Sequence, residues 1–464
     1  MSMRATKVES SVSQAKKKAV ELAEFYFSLE RAFHVKLNAD YAELVTAGGN
    51  HADPVHRWFR FKEAFSSRIL GRVIKDTELR ERNELRLIDP FAGVGTSLVS
   101  AVELVGSGNL ASADAYGVEC NPFLHLVSTV KTRCYQHPQS EVLRFGRDIA
   151  LRASKRSTIS IDIPDLSTFR NEQYFDQGEL TRLLTIREEI CAAEVRGCSI
   201  ELASLARVAL GAIIEPVSNL RKDGRALRYS PKKDRGISAL DGFLTKIDEM
   251  DVDMPRRSNT FRSVIARGDG RSLANLPMEA TEVDLCLFSP PYPNNIDYTE
   301  VYKLENWLLG FLETRADFRA QRGHTLYSHP SILRSDPLPS EEITADENDF
   351  LLRCVSPIIS ALPEDRYFTS RSRLIRGYAL DMYLTTKNVS RRLRVGGYMV
   401  CVVGNSVHGI LEESVIIAAD VLIATFALEL GLEVVGVDIA RFLSRRSVSS
   451  PFLRESVIFI RKPS

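Results

Sequence analysis

The chain has 464 residues, with 61 Lys and Arg against 60 Asp and Glu, so its formal net charge is +1. Its length exceeds that of a typical single domain, which predicts a core with insertions. No apolar stretch reaches the roughly 18 residues of a membrane span, and no signal-peptide core follows Lys16–Lys18. Seven cysteines without C-x-x-C spacing argue against a disulfide framework and a structural zinc. We therefore expect a soluble, cytoplasmic protein without a metal.

Apolar periodicity and composition divide the chain into six parts. A helix is predicted over residues 12–34, and two more over 180–193 and 200–214. In chain order, the parts are an N-terminal helical extension (1–50), the first half of a core (51–135), a mainly helical insertion (136–261), a return to the core (262–311), a polar insertion or lid (312–370) and the rest of the core (371–464). The return to the core includes a predicted helix from Tyr302 to Phe311. The last part has predicted helices at 380–393 and 414–430, a strand from 396 and two final strands.

The first motif lies between a predicted strand and a predicted helix. The apolar run Leu85–Ile88 predicts a buried strand, Asp89–Thr96 reads DPFAGVGT, and the pattern from Ser97 to Val105 is helical. Glycines in such a turn let the backbone approach a nucleoside. The turn lacks the third glycine of the dinucleotide pattern G-x-G-x-x-G, and this disfavours an NAD-dependent oxidoreductase.

A carboxylate follows the next predicted strand. Glu119 ends the segment Tyr116–Glu119 about 30 residues after the glycine turn, where an acid can accept both ribose hydroxyls. The ordinary alternative is a solvated acid at a strand end, but the offset from the glycines favours ribose binding. Together the two motifs predict a nucleoside cofactor on a Rossmann-like sheet.

Two loops concentrate positive charge. Seven basic residues lie between Arg221 and Arg235 against two acids, and the interrupting Gly, Tyr and Pro predict a loop or hairpin. A second basic loop, from Arg441 to Arg454, joins the last two predicted strands. Most charge runs are solvated surface. A polyanionic substrate would favour phosphate contacts instead.

The most informative motif follows the apolar run Val283–Phe288. It consists of Ser289, Pro290, Pro291 and Tyr292. Two prolines remove two backbone N–H donors, so the turn presents carbonyl oxygens. These oxygens and the serine hydroxyl can accept hydrogen bonds from an NH₂ group, and the tyrosine offers a face for stacking. Alone, the tetrapeptide is as readily an ordinary Pro-Pro turn that closes a buried strand.

In this order the motifs resemble those of the S-adenosylmethionine-dependent amino-methyltransferases of DNA, which make N4-methylcytosine or N6-methyladenine. Asp89–Thr96 is similar to the family's cofactor motif D-P-F-x-G-x-G-T, and Glu119–Pro122 to its acid-x-N-P. Ser289–Tyr292 resembles the catalytic motif. His56–Ser66 resembles the segment that closes over the methionine part of the cofactor, and Gly268–Ser272 resembles the one that carries an acid beside the adenine.

The resemblance, which covers roughly residues 51–135 and 262–463, implies an α/β fold of the Rossmann-like class I methyltransferase type. It implies a mostly parallel sheet with a terminal antiparallel hairpin and helical insertions, and methyl transfer from S-adenosyl-L-methionine to the amino group of a flipped base in double-stranded DNA. The residues expected to act are Ser289, Pro290, Pro291 and Tyr292 in catalysis; Phe65, Ser66, Asp89, Phe91, Gly93, Gly95, Thr96, Glu119 and Asp269 at the cofactor; Asn294, Asn295, Asp297 and Tyr298 at the base; and Arg228 and Lys232 at DNA phosphates.

Several alternatives stay open at this point. In the family, Ser at position 289 is commoner among N4-cytosine enzymes and Asp among N6-adenine enzymes, so cytosine N4 is favoured. An RNA amino-methyltransferase and a non-catalytic subunit are the alternatives of other kinds, although both motifs are intact. Asp297 could equally cap a helix that starts near Thr299. The sequence also leaves open the recognition site, the oligomeric state and any restriction or defence-system partner. Either 136–261 or 312–370 could read the target sequence, and 136–261 is favoured for its basic loop.

Overall fold

The computed structural model describes residues 2–133, 140–159, 174–223, 227–230, 237–254, 260–277, 279–332, 334, 343–409, 413–444, 448 and 450–463, except for the side chains of residues 2–13 and 15. The strands of this part are β1 (Val35–Leu37), β2 (Glu84–Asp89), β3 (Ser112–Glu119), β4 (Leu220–Lys222), β5 (Leu227–Tyr229), β6 (Phe261–Arg267), β7 (Val283–Phe288), β8 (Leu393–Gly404), β9 (Ser406–His408), β10 (Val415–Ile417), β11 (Glu433–Phe442) and β12 (Arg454–Arg461).

The helices lie between these strands and, before β1, at the N-terminal end. They are α1 (Ser2–Glu30), α2 (Ile69–Asp76), α3 (Thr96–Gly106), α4 (Pro122–Thr132), α5 (Glu141–Ser154), α6 (Gln177–Val195), α7 (Ile200–Val217), α8 (Ala239–Asp253), α9 (Tyr298–Val301), α10 (Lys303–Leu308), α11 (Arg315–Gly323), α12 (Ala345–Ala361), α13 (Phe368–Arg392) and α14 (Ala419–Glu429).

Eight of the strands form one sheet, in the order β1-β11-β12-β8-β7-β2-β3-β6. Neighbours in this sheet are parallel except around β12, which is antiparallel to both β11 and β8. This arrangement confirms the predicted mostly parallel sheet of the Rossmann-like α/β class with a terminal antiparallel hairpin. Strands β4 and β5 form a separate antiparallel hairpin, as predicted for the first basic loop.

Helices cover both faces of the sheet, and this explains the continuous apolar runs of its central strands. In β7, Leu285 and Leu287 pack into a cluster that includes α2 and α3, whereas Cys286 and Phe288 pack into a cluster with α12, α13 and α14. Successive side chains of a strand point to opposite faces. The helices α4 to α8 and α10 share a third cluster beside the sheet.

Three element predictions are wrong in detail. The segment 312–370 contains α11 and α12, and Phe350 and Val355 of α12 pack in the main core against α13 and α14. The predicted helix over 414–430 is divided into β10, which pairs with β9, and α14. The predicted helix that begins at Tyr302 begins instead at Tyr298, is interrupted at Tyr302 and ends at Leu308.

Candidate active site

A cavity of about 330 Å³ lies at the carboxyl ends of four parallel strands. Its lining includes Phe91 after β2, Glu119 at the end of β3, Asp269 after β6 and Ser289 after β7. These strands are neighbours in the order β7-β2-β3-β6, so their carboxyl ends meet at one edge of the sheet. Motifs that lie about 200 residues apart in the chain therefore share one cavity.

The glycine turn between β2 and α3 has a left-handed backbone. Gly93 and Gly95 have φ values of 53° and 80°, which side chains disfavour. The buried Asp89 carboxylate holds the turn, because it accepts hydrogen bonds from the Ser97 hydroxyl and, at 3.0 Å, from the Phe91 N–H. Gly93 lines the cavity, whereas Gly95 packs against α4.

Glu119 joins this turn to the start of α4. Its Oε2 accepts the Gly93 N–H at 2.8 Å, and its Oε1 accepts the Asn121 N–H at 2.7 Å. Each carboxylate oxygen keeps a second lone pair for a donor in the cavity. Burial raises the pKa of Glu119 to about 7, although both backbone hydrogen bonds act to lower it.

A second acid of the lining, Asp269, is held by Arg271, whose Nε donates to it at 2.9 Å. Arg271 also donates to the buried Asp381 of α13 at 2.9 Å, and Arg334 donates to the same carboxylate at 2.7 Å. Asp381 further accepts the Tyr327 N–H at 2.8 Å. Asp381 thereby connects the turn that carries Asp269 to the segment at Tyr327. The two residues just before Tyr327, Thr325 and Leu326, line the cavity.

The turn Ser289–Tyr292, predicted to be catalytic, belongs to a hydrogen-bond chain that extends to the terminal hairpin. Ser289 Oγ lies 3.1 Å from the Tyr292 hydroxyl, which lies 3.0 Å from Glu455 Oε1 on β12. The other carboxylate oxygen of Glu455 accepts from Arg441 Nε on β11 at 2.7 Å. All four side chains line the cavity, together with Pro290 and Pro291.

The segment predicted to close over the cofactor contributes to the wall with its middle residues, 61–64. Phe61 stacks on Tyr302 with ring centroids 5.4 Å apart, and the Tyr302 hydroxyl donates to Glu63 at 2.7 Å. Phe65 and Ser66 are buried next to this wall without lining it, and the Ser66 N–H donates to the Leu44 carbonyl.

Only some of the residues predicted to contact the base or the DNA phosphates lie at the cavity. Asn294 and Tyr298 line the cavity, whereas Asn295 and Asp297 do not. Asp297 caps α9 by accepting from the Thr299 and Glu300 N–H groups, which is the alternative that the sequence left open. The other placements are Thr96, buried at the start of α3, outside the lining; Arg228, exposed on β5 and paired with Asp223; and Lys232, outside the described residues. For all of these residues the binding roles stay predictions.

Several residues of the lining were not predicted to belong to the site. Glu455 and Arg441 belong to the terminal hairpin, and Gln321 and His324 come from the end of α11 and just after it. Arg441 was predicted only as part of the second basic loop, but it lies on β11 and pairs with Glu455. Gln321 Nε2 donates to the Cys120 carbonyl at 2.9 Å, and this hydrogen bond fixes α11 next to the end of β3. The sheet topology brings Glu455 and Arg441 to the cavity, and the packing of α11 brings Gln321 and His324 there.

Two further kinds of feature are absent from the described ranges. Those residues include no group of three His, Cys, Asp or Glu side chains arranged to hold a metal ion. None of the helices described is both long and apolar enough to cross a bilayer.

The chain is similar to proteins called Type II methyltransferases. It is 25% identical over 448 residues to Type II methyltransferase M.AvaI of Nostoc sp., covering 89% of this chain and 87% of that protein. It is 23% identical over 314 residues to Type II methyltransferase M.BsoBI of Geobacillus stearothermophilus, covering 59% and 56%. No protein-family model matches the chain.

The two relatives and the motif geometry make the chain similar to the S-adenosylmethionine-dependent methyltransferases. Among solved structures, the rRNA methyltransferase aviRa from Streptomyces viridochromogenes matches 86% of each chain with 9% identity and a TM-score of 0.25, too low to support an argument.

The lining of the cavity fits an adenosine cofactor. Gly93 offers an open backbone next to Glu119, whose two oxygens can each accept a hydroxyl hydrogen. Asp269 stands at the end of the neighbouring strand β6 and can accept from an exocyclic amine. Glu119, Gly93 and Asp269 would hold the nucleoside, and residues 61–64 would cover it.

We expect nucleoside affinity to rise with pH through about 7. Below its raised pKa, Glu119 is protonated and loses acceptor capacity; above it, the carboxylate accepts both ribose hydroxyls, so the ligand binds the anion more tightly. Calorimetry with 5′-methylthioadenosine, which has no amino-acid part that titrates, between about pH 6 and pH 8 measures this. Glu119→Gln is the matched control, whose affinity should be lower at high pH and nearly independent of pH. An equally flat wild-type profile would contradict the assignment of Glu119 to the ribose.

Proposed function

We propose that the chain is a site-specific DNA methyltransferase that acts on the exocyclic amino group of a flipped base, with N4 of cytosine as the target. The observation that carries this proposal is the shared cavity. The turn Ser289–Tyr292 and the nucleoside-site residues Gly93 and Glu119 line the same 330 Å³ space, on β7 and on its neighbours β2 and β3.

The chemistry requires alignment more than a strong base. S-adenosylmethionine supplies a methyl group that its sulfonium already activates. An exocyclic amine is a poor nucleophile because its lone pair is delocalised into the ring. Hydrogen bonds from the amine N–H groups to Ser289 Oγ and the Pro290 carbonyl favour a pyramidal nitrogen. This stabilisation is largest in the transition state.

The cavity also offers polar groups that no protein partner uses. Asn294 Oδ1 and Thr299 Oγ1 are buried, belong to lining residues and have no hydrogen-bond partner among the described residues. Buried polar atoms are normally paired, so these two are suited to a polar ligand such as a base. Tyr292 provides the aromatic face on which that base would stack.

The position of the basic hairpin supports a nucleic-acid substrate. Lys222 of β4 is buried, pairs with Glu305 and lies 4.3 Å from the centroid of the Tyr302 ring. Lys62 of the cavity wall donates to the Lys222 carbonyl at 2.6 Å. The hairpin is therefore fixed beside the cavity, and Arg228 on its other strand is 70% exposed.

The similarity to proteins called Type II methyltransferases favours duplex DNA over RNA as the substrate. The serine at position 289 favours cytosine over adenine as the target base. The decisive experiment is to incubate the purified chain with S-adenosylmethionine and either duplex DNA or RNA, and to map the methylated positions by sequencing and nucleoside mass spectrometry. N4-methylcytosine in one duplex sequence is the expected product. N6-methyladenine would correct the base, methylated RNA would correct the substrate, and the absence of methyl transfer to any of them would overturn the proposal.

We expect Arg228→Ala to weaken DNA binding for all sequences. Each phosphate contact that is lost should lower the slope of log K against log salt by about 1. Arg152→Ala removes another exposed arginine paired with an aspartate, on α5, and serves as the control. If both variants have the wild-type slope in a fluorescence-anisotropy titration, the hairpin is a solvated surface.

A further inference from the structure

The terminal hairpin contributes a carboxylate to the catalytic turn. Glu455 on β12 and Arg441 on β11 are opposite each other in the antiparallel ladder. Only 7% of the Glu455 side chain is exposed, and Arg441 contacts its Oε2 through Nη2 at 2.6 Å as well as through Nε. A cross-strand ion pair of this kind would be an ordinary way to stabilise a hairpin.

The third contact of Glu455 does not fit a purely structural role. Its Oε1 accepts the Tyr292 hydroxyl at 3.0 Å, within the catalytic motif. A carboxylate is only an acceptor, and Arg441 already donates to the other oxygen of this one. The Tyr292 hydrogen must therefore point at Glu455, and the hydrogen bond between Tyr292 and Ser289 must be donated by Ser289.

This order of donation determines what Ser289 offers to a base. Its single hydrogen is engaged by the Tyr292 oxygen, so its lone pairs are the part left for the cavity. An amino group presents hydrogens. It can bond to Ser289 only if the serine does not present its own hydrogen in the same direction.

We propose that Glu455, fixed by Arg441, is a positioning residue that orients the hydroxyl hydrogens of Tyr292 and Ser289 so that Ser289 is an acceptor for the target amino group. This inference rests on the proposed function. The Tyr292 ring is positioned by the same contact and by Gly404, because a Cβ there would lie 2.8 Å from the ring.

Glu455→Gln tests the orientation while it keeps the shape. The amide oxygen would face the Arg441 donors, since an NH₂ group there would oppose them, so the amide NH₂ would point at Tyr292. Tyr292 would then donate to Ser289, and Ser289 would present its hydrogen to the base amine. We expect turnover to fall at least about tenfold. One misplaced hydrogen bond costs about 1.4 kcal/mol, which corresponds to that factor.

Two double variants separate this role from a structural one. Arg441→Leu added to Glu455→Gln frees the amide to rotate, so turnover at saturating DNA should partly recover. In the Tyr292→Phe background the hydroxyl that links Glu455 to Ser289 is already absent, so Glu455→Gln should cause no further loss of turnover. A hairpin that acts only as a scaffold predicts the opposite: an additional loss in each double variant.

Two readouts do not depend on turnover. Calorimetry with S-adenosylhomocysteine should give affinities within about twofold of wild type, because Glu455 is assigned to the base. A fluorescent base analogue at the target position should show that flipping persists in Glu455→Gln, since the ring remains. A Glu455→Gln variant with wild-type turnover on DNA would overturn the inference alone. A wild-type protein that methylates no polynucleotide would overturn the proposed function together with it.

Discussion

Ser289→Ala is expected to reduce methyl transfer by roughly 100- to 1000-fold, the range seen when one group that stabilises a transition state is removed. The hydroxyl oxygen lies at the end of the hydrogen-bond chain from Glu455 through Tyr292 and is the proposed acceptor for the target amine. Its loss matters most as the nitrogen becomes pyramidal. Single-turnover kinetics with saturating DNA measures the chemical step, and DNA affinity should change much less.

Tyr292→Ala should also abolish most activity, but for another reason. This variant loses the ring on which the base is proposed to stack, and stacking on an aromatic side chain is worth roughly 1–3 kcal/mol. A fluorescent base analogue at the target position separates the two variants: flipping should persist in Ser289→Ala and become rare in Tyr292→Ala. Cofactor affinity is the control for both. If both variants kept wild-type turnover, the Pro-Pro turn would be structural, and the proposed reaction would lose its main support.

Asp381→Ala is expected to have the largest effect on stability, about 3–5 kcal/mol of the free energy of unfolding. Asp381 is fully buried, and Arg271 and Arg334 expose only 14% and 6% of their side chains. Without the carboxylate, two buried guanidinium groups lose their shared counter-charge. Urea denaturation measures this loss, and Glu78→Ala, which breaks an exposed pair with Arg461, should cost less than about 1 kcal/mol.

The same variant should weaken nucleoside binding, because Arg271 holds Asp269 against the cavity. Calorimetry on the folded fraction at low temperature distinguishes this effect from unfolding. A variant as stable as Glu78→Ala would show that the two arginines find other partners. Unchanged nucleoside affinity would show that Asp269 keeps its position without them.

The features that the sequence predicted are those encoded within a few neighbouring residues. The strand and turn from Leu85 to Gly95 combine an apolar run with glycines that need left-handed φ angles, and the run before Ser289 ends in two prolines. These local signals were sufficient to predict a mostly parallel sheet, and parallel strands place their carboxyl ends at one edge.

The features that the sequence did not reveal depend on partners far apart in the chain. Glu455 reaches Tyr292 across 163 residues, and Asp381 reaches Arg271 across 110. An isolated Glu or Asp in an apolar strand or helix has no periodic signature of such a contact. For the helix α12, the Thr344–Glu347 capping box was a readable local signal, but the surrounding acids and prolines obscured it.

The edge strand β1 has a consequence for how the protein is made. It contains residues 35–37, and in the described structure it pairs with β11, which begins at Glu433. Roughly 400 residues separate the two, so at about 5–20 residues per second a ribosome needs on the order of 20–80 s between them. During that interval Tyr26 and Leu22 of α1, which later pack in the main core, lack the C-terminal part of that core. The nascent N-terminal segment therefore lacks these partners until the C-terminal strands are made, and we expect a chaperone to bind it during synthesis.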